Sequence, residues 1–144
     1  MNVYLDTNVV VADAVQTHLH HADAAGLVEQ VLRRRWIPVI STHGLAEVFA
    51  VLTGTPFPSR LSPAEAWQIL QENVLQLFEV QSLSRADYTD VLRKCAAQGL
   101  SGGPVFDAIH LHAARKANCA RIYTFNVDDF RRVAPDLHDR IFRP

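Results

Sequence analysis

Short apolar runs of strand length alternate with longer segments of helical period along this chain, and that alternation leaves few architectures open. Asn2–Leu5, Trp36–Ile40, Phe78–Gln81 and Arg121–Phe125 read as strands, with Asp139–Phe142 as a short fifth. Between them, Val9–Val15 is apolar and helical. The polar stretch His18–Asp23 opens a second helix, in which Ala24, Leu27, Val28, Val31 and Leu32 recur at helical spacing up to Arg33-Arg34-Arg35. Ser41 or Thr42 caps a helix reaching Thr53. Ser62-Pro63-Ala64-Glu65 is a capping box that starts another, reaching Leu77. Ser84–Gln98 carries Tyr88, Val91, Leu92, Cys95 and Ala96 on one face and stops at Gly99. Pro104 starts a helix that lasts to Ala117. The pattern predicts an α/β fold, one domain over residues 1–144, with a mostly parallel sheet. Pro38 predicts an edge or irregular position for the second strand, because proline has no N–H to give a ladder.

In open parallel sheets the ligand crevice lies beyond the carboxyl ends of the strands. Asp6 and the segment Thr124–Asp129 fall at such ends. Glu47 is the sole charge between Gly44 and Leu52, in a helix apolar on nearly every face and therefore expected to be buried. Leu45, Val48, Phe49 and Leu52 make its stripe, and Glu47 points away from it. Asp107 lies in the first turn of its helix and shares a face with His110. A carboxylate in such surroundings is costly without a partner. Four places of this kind in one chain point to a shared divalent cation.

Each residue also has a plainer reading. Asp6 serves as a helix cap, with Asn8 capping as well or orienting the Asp6 carboxylate. Glu47 finds solvent or an arginine. His110 and His112 are satisfied histidines, and Asn126, Asp128 and Asp129 make a turn anchored by Phe130. His18, His20 and His21 read as a solvated helix start, Arg33–Arg35 as a helix end, and Ser101-Gly102-Gly103 as a loop beside the site. No Gly-x-Ser-x-Gly elbow supports a serine hydrolase.

With 49% apolar and 20% charged residues and a net charge of −1, the composition is that of a globular protein without a broad nucleic-acid-coating surface. Half of the 14 basic residues follow Asp107. Cys95 and Cys119 lack metal-ligand spacing and read as reduced thiols. No stretch approaches the ~20 apolar residues of a membrane span, and the N-terminus has no signal-like segment. A cytoplasmic protein is expected.

Taken in order, Val3-Tyr4-Leu5-Asp6-Thr7-Asn8, Ser41–Thr53 around Glu47, Phe106-Asp107-Ala108-Ile109-His110 and Ile122–Phe130 resemble a PIN-domain ribonuclease, most of all the VapC toxins of toxin–antitoxin pairs. The resemblance covers nearly the whole chain. It implies a three-layer α/β/α domain with four or five strands. It further implies a magnesium- or manganese-dependent endoribonuclease, often a homodimer, restrained by a cognate VapB-type antitoxin. Asp6, Glu47 and Asp107 match the family's acidic triad. At the fourth position this chain has Asn126, with Asp128 or Asp129 near enough to supply the charge.

The expected mechanism has Asp6 and Asp107 ligating the cation, and Glu47 ligating through a water or orienting the attacking one. Asn126 and Asp129 hold the far side, and the products carry 5′-phosphate and 3′-hydroxyl ends. The rivals are a PIN nuclease for RNA processing outside a toxin pair, a non-catalytic metal- or RNA-binding module, and a phosphotransfer domain. The last is disfavoured because Asn8 stands where a second aspartate is needed and neither Lys94 nor Lys116 follows a strand. The target RNA is not legible. The loops Gly54–Leu61 and Gln98–Pro104 are the candidate recognition segments.

Overall fold

The run Asn2–Leu5 becomes the middle strand of the sheet, and Val3, Tyr4 and Leu5 are fully buried. In the computed structural model, which describes residues 1–58 and 60–144, the strands are β1 (Asn2–Leu5), β2 (Ile37–Ser41), β3 (Glu79–Gln81), β4 (Arg121–Tyr123) and β5 (Ile141–Phe142). They lie in the order β3-β2-β1-β4-β5, and every neighbouring pair is parallel. The chain fills the β2–β3 side first and then crosses β1 to lay down β4 and β5. The direction of winding therefore switches between β1 and β4, which in open α/β sheets marks the ligand crevice.

The helices are α1 (Thr7–Ala14), α2 (His21–Arg33), α3 (Thr42–Gly54), α4 (Pro63–Leu70), α5 (Arg85–Gln98), α6 (Gly103–Lys116) and α7 (Val127–Val133). A wide turn, Gln71–Leu75, extends α4, so the segment expected to reach Leu77 is helical to 75. The tight helical segment Pro135–Arg140 leads into β5. Alternation along the strands sorts the layers. Val3, Leu5, Ile40 and Tyr123 pack against α1 to α4, while Tyr4, Val39 and Ile122 pack against Leu111, Phe130 and Leu137 on the other face. This is the three-layer α/β/α arrangement that the resemblance implies. No helix among the described residues is long and apolar enough to cross a membrane. Of the loop Gly54–Leu61, Ser59 lies outside the described residues.

Three local expectations change. β2 is an interior strand, yet Pro38 costs it no bond. Ile37 donates its N–H to Met1 O at 2.9 Å, so the nitrogen of the next residue faces the other side, where the β3 ladder begins only at Val39–Glu79. Leu92 and Ala96 of α5 are exposed and only Val91 and Cys95 are buried, because α5 packs mainly on α6 and needs a narrow seam. α3 is not buried on all sides: Gly44, Val48 and Leu52 are, but Ala46 and Ala50 are exposed. A helix in an outer layer hides one face, and small side chains on the other carry little penalty.

Caps set where these helices begin. Ser62 and Glu65 close the predicted capping box on α4, Ser84 and Asp87 close another on α5, and Gly99 (φ 69°) ends α5 in the left-handed region. Ser41 accepts the Gly44 N–H at 2.9 Å and starts α3 immediately after β2. Gly44 is there because of close approach: a Cβ on it would meet Ile40 Cγ1 at 2.7 Å. Ile40 is fully buried and Cγ1 sits near the root of its side chain, so it has little room to yield. Gly44→Ala gains about 1 kcal/mol of helix propensity but incurs about 1–3 kcal/mol of overpacking. The substitution should lower the melting temperature by several degrees in a thermal melt. An unchanged or higher melting point would show that Ile40 gives way.

Candidate functional site

The acidic cleft is assembled where β1, β2 and β4 end. Asp6 follows β1 and caps α1. Its Oδ1 accepts the Thr7 N–H at 2.7 Å and its Oδ2 accepts the Thr124 hydroxyl at 2.7 Å. Thr124, just past β4, is fully buried, and its oxygen also accepts the Asn126 N–H at 3.0 Å. Asn8 reaches the same turn, accepting the Phe125 N–H at 3.3 Å. The capping and the orienting readings of Asp6-Thr7-Asn8 therefore both describe what is seen, with Asn8 acting through Thr124. Phe130 is fully buried and anchors the turn as expected. Asp6 is 5% exposed, and burial pushes its carboxyl above the usual range against the pull of His110, Thr124 and Thr7.

His110 is the hub that sequence reasoning passed over. It is 2% exposed. Its Nδ1 lies 2.7 Å from the Tyr4 hydroxyl, and its Nε2 lies 2.9 Å from Glu47 Oε1 and 3.6 Å from Asp6 Oδ1. The Tyr4 hydroxyl donates to Ser41 Oγ at 3.1 Å. Nε2 faces carboxylates and donates to Glu47, while Nδ1 meets the Tyr4 hydroxyl, so the ring is tied at both nitrogens. Burial alone would lower its pKa. The hydrogen bond to Glu47 and the charges of Asp6, Glu47 and Asp107 outweigh burial and hold it raised.

Glu47 neither points to open solvent nor meets an arginine. It is half-buried in the cleft, with His110 on one side and His43 Nε2 2.7 Å from Oε1 on the other. The His43 contact is short but lacks hydrogen-bond alignment, and burial lowers the pKa of His43 itself, so His110 is the stronger partner. Burial would raise Glu47, but the two histidines win and hold it low, so it stays ionised at neutral pH.

Asp107 lies in the second turn of α6 and not in the first as expected, because the helix already starts at Gly103, so it gains little from the helix N-terminus. Asn2 Nδ2 donates to Ala117 O at 2.8 Å, tying the other end of α6 to the start of β1, so the Asp107 end lies at the opposite edge of the sheet. Burial first, then the charges of Asp6, Asp129 and Glu47, push its carboxyl up to about 6, with His110 opposing. Asn126 is exposed and lines the same cleft of about 290 Å3 with Asp6, Glu47 and Asp107. Asp128 and Asp129 face a neighbouring cavity of about 620 Å3 that shares Asn126 and is lined by Arg131, Arg132 and Arg143. Asp129 pairs with Arg132 at 3.0 Å while remaining near enough to raise Asp107.

The carboxylates lining this cleft are hard oxygen donors; His18 and His110 also line it, and His110 Nε2 is engaged by Glu47 at 2.9 Å. Among the described residues, no three His, Cys, Asp or Glu side chains stand together as a group that could hold a metal ion by themselves. Magnesium does not need one, since it commonly keeps several waters and takes one or two carboxylates. Asp6 and Asp107 are suited to that role, and Glu47, committed to His110, is suited to contact through water. The donor set fits an oxygen-preferring divalent cation.

His18 lines the same cleft, accepts the His20 N–H at 3.0 Å and lies 5.9 Å from the His20 ring, while His20 stacks on Phe125 at 4.6 Å and His21 Nδ1 lies 2.9 Å from Ala12 O. The remaining candidates lie elsewhere or serve structure. His112 and Lys116 hold Asp87 at 2.9 and 2.6 Å and join α5 to α6. Cys95 and Cys119 are free and buried, and burial pushes the Cys119 thiol up to about 12. Gly102 starts α6 at φ 69°, in the loop Ser101-Gly102-Gly103.

The profile of the PIN domain family matches residues 3–135. The chain belongs to the PIN domain family. It is 33% identical over 111 residues to ribonuclease VapC27 of Mycobacterium tuberculosis, covering 76% of this PIN domain chain and 74% of the relative. Its fold is similar to VapBC2 of Rickettsia felis, solved bound to a promoter DNA fragment, with a TM-score of 0.70 at 18% identity over 99% of this chain and 98% of that one. It is likewise similar to VapC20 of Mycobacterium tuberculosis, a sarcin–ricin loop-cleaving toxin, with a TM-score of 0.68 at 15% identity over 88% of this chain and 92% of that one. At these identities the two structures speak to the PIN fold alone.

Proposed function

We propose that this chain, one PIN domain over residues 1–144, is a magnesium- or manganese-dependent endoribonuclease. On this reading it is the toxin of a type II toxin–antitoxin pair, acts on RNA as a homodimer and is restrained by a VapB-type antitoxin. The 33% identity to a VapC ribonuclease supports the class. The observation that carries the mechanism is Asp107, a carboxyl pushed up to about 6 in a cleft where Asp6, Asp129 and Glu47 all repel its charge. Such a cluster weakens the fold unless a cation joins it, so it is better explained by chemistry than by stability.

A divalent cation held by Asp6 and Asp107 would lower the pKa of a bound water and offset charge on the phosphate. The protein does the positioning. Thr7 and Thr124 fix both oxygens of Asp6. Glu47, held low by His110 and His43, is a poor proton acceptor near neutrality and instead orients the attacking water. Asn126 offers its amide to the phosphate from the far side, with Asp129 behind it. Water oxygen attacks phosphorus in line and gives up a proton to solvent, the bond from phosphorus to the 3′-oxygen breaks, and that oxygen takes a proton from solvent. The products carry 5′-phosphate and 3′-hydroxyl ends.

The test is cleavage of RNA by the purified chain. Cutting should need magnesium or manganese, stop on chelation with EDTA, and leave 5′-phosphate ends on mapping. Metal-independent cutting, or ends carrying a 2′,3′-cyclic phosphate, would refute the mechanism. A small antitoxin reading frame immediately upstream, whose product co-purifies with the chain, distinguishes the toxin from an RNA-processing nuclease.

A further inference from the structure

Phe106 sits beside Asp107 on the wall of the acidic cleft and is 51% exposed. An aromatic left so open forgoes burial, yet this one is firmly propped. Its ring stacks on His43 with centroids 5.7 Å apart and planes 23° from parallel. His43 is in turn backed by Tyr88 of α5, whose hydroxyl lies 3.2 Å from Nδ1. The ring is thus held from behind by side chains of α3 and α5, and its other side is open to the cleft.

We propose that Phe106 is a stacking shelf for an unpaired RNA base next to the scissile phosphate. The proposal rests on the RNA-cleaving reading above and adds the form of substrate it takes. A phosphodiester that a cation would hold at Asp6 and Asp107, on the reading above, brings its flanking nucleotide to the adjoining wall, and a propped aromatic face there offers a base the stacking it loses on leaving a strand. A base inside a duplex has both faces covered, so the shelf selects loops, bulges and single strands.

Phe125, which lines the neighbouring cavity, cannot serve in the same way. Its ring already carries His20 at 4.6 Å and the Arg143 guanidinium at 5.2 Å. That cavity, lined also by Arg131 and Arg132, offers charge to phosphates. The two sides therefore divide the work, with base stacking at Phe106 and backbone charge at the arginines. A docked peptide could also cover an exposed ring. A base is favoured because the shelf is part of the cleft that must accept the phosphate.

The experiment pairs wild type, Phe106→Ala, Phe106→Leu and Phe106→Trp with a single-stranded RNA that the wild-type chain cuts, carrying one abasic nucleotide moved stepwise through the cut site. Phe106→Ala should raise KM about 5- to 150-fold with a smaller change in kcat. Phe106→Trp should keep KM, and Phe106→Leu, with similar apolar bulk but no ring, should raise it nearly as far as Phe106→Ala. At one flanking position the abasic substitution should raise the wild-type KM by a similar factor and add nothing in Phe106→Ala, because both remove the same contact.

Unchanged KM in Phe106→Ala overturns the shelf alone. So do penalties that multiply at every abasic position, or a loss of kcat that follows a lower melting temperature. Weakened binding of a protein partner with RNA kinetics intact overturns it in favour of a peptide surface. Failure of the wild-type chain to cut any RNA overturns both the shelf and the nuclease reading.

Discussion

Asn in place of Asp107 should abolish RNA cleavage and, at the same time, make the metal-free fold more stable at neutral pH. The first effect follows from the loss of a cation ligand and should reach at least about a hundredfold in kcat/KM. The second follows from the raised carboxyl. In the unfolded chain Asp107 titrates near 3.8, and in the fold at about 6. Between those values the folded state binds the extra proton, so stability falls as pH rises from about 4 to 6 and then stays low. Asp107 is half-exposed, so solvent screens much of this effect, and the cost of its charge is on the order of 1 kcal/mol.

Asp107→Asn carries no such charge and should melt about 3 °C above wild type at pH 7, with the difference closing below pH 4. Magnesium reverses the order by relieving the repulsion in wild type. It should raise the wild-type melting temperature and leave the variant nearly unmoved. Thermal melts with and without metal, run beside a cleavage assay, check all of this. Wild-type cleavage by Asp107→Asn would sink the assignment of the site.

His110→Ala should damage both fold and activity. The imidazole lies between Tyr4 and Glu47 with Asp6 3.6 Å away, and truncation takes it from the half-buried Glu47 carboxylate, the buried Asp6 and the Tyr4 hydroxyl. Breaking a fully buried charged pair costs about 3–5 kcal/mol; with Glu47 half-exposed the loss here is about 2–3 kcal/mol, or roughly 7 °C of melting temperature. His110 has a raised pKa, so its stabilisation is complete below pH 6.5 and fades as pH climbs through the folded value. The gap between variant and wild type should accordingly be widest in mild acid and narrow in alkali.

Activity measured where both proteins are folded should drop about tenfold or more, because Glu47 loses the bond that aims it. Tyr4→Phe is the control. It removes the hydroxyl, costs about 1 kcal/mol and leaves the His110–Glu47 bond in place, so cleavage should change little. If His110→Ala lowers the melting temperature but cuts RNA at the wild-type rate, the ring is structural and does not position Glu47.

The division between legible and hidden follows the range of the interactions. Each strand of the sheet, the capping box at Ser62, the helix start at Ser84 and the stop at Gly99 were readable, because hydrophobic period, hydroxyl caps and left-handed glycine act within a few residues. Edges were less readable. α1 begins at Thr7 and not Val9, because Asp6 caps it directly. Pro38 pointed to an edge strand because the sequence cannot say which of its neighbours pairs where. Among the site residues, Asp6, Glu47 and Asp107 stood out because charge among apolar neighbours is a local anomaly. His110 did not, since a histidine among apolar neighbours is ordinary until its partners are known.

The sequence by itself determined that strands alternate with helices, and that carboxylates follow strands or interrupt apolar helices. Tertiary structure alone decided that β1 lies between β2 and β4, which brings Tyr4, Ser41, Glu47, His110 and Thr124 around one carboxylate across separations of up to 118 residues. The physical reason is that propensity and capping are short-range, whereas the pKa of Asp107, the charge on His110 and the aim of Glu47 depend on groups that only the closed sheet and its covering helices bring within a few ångströms.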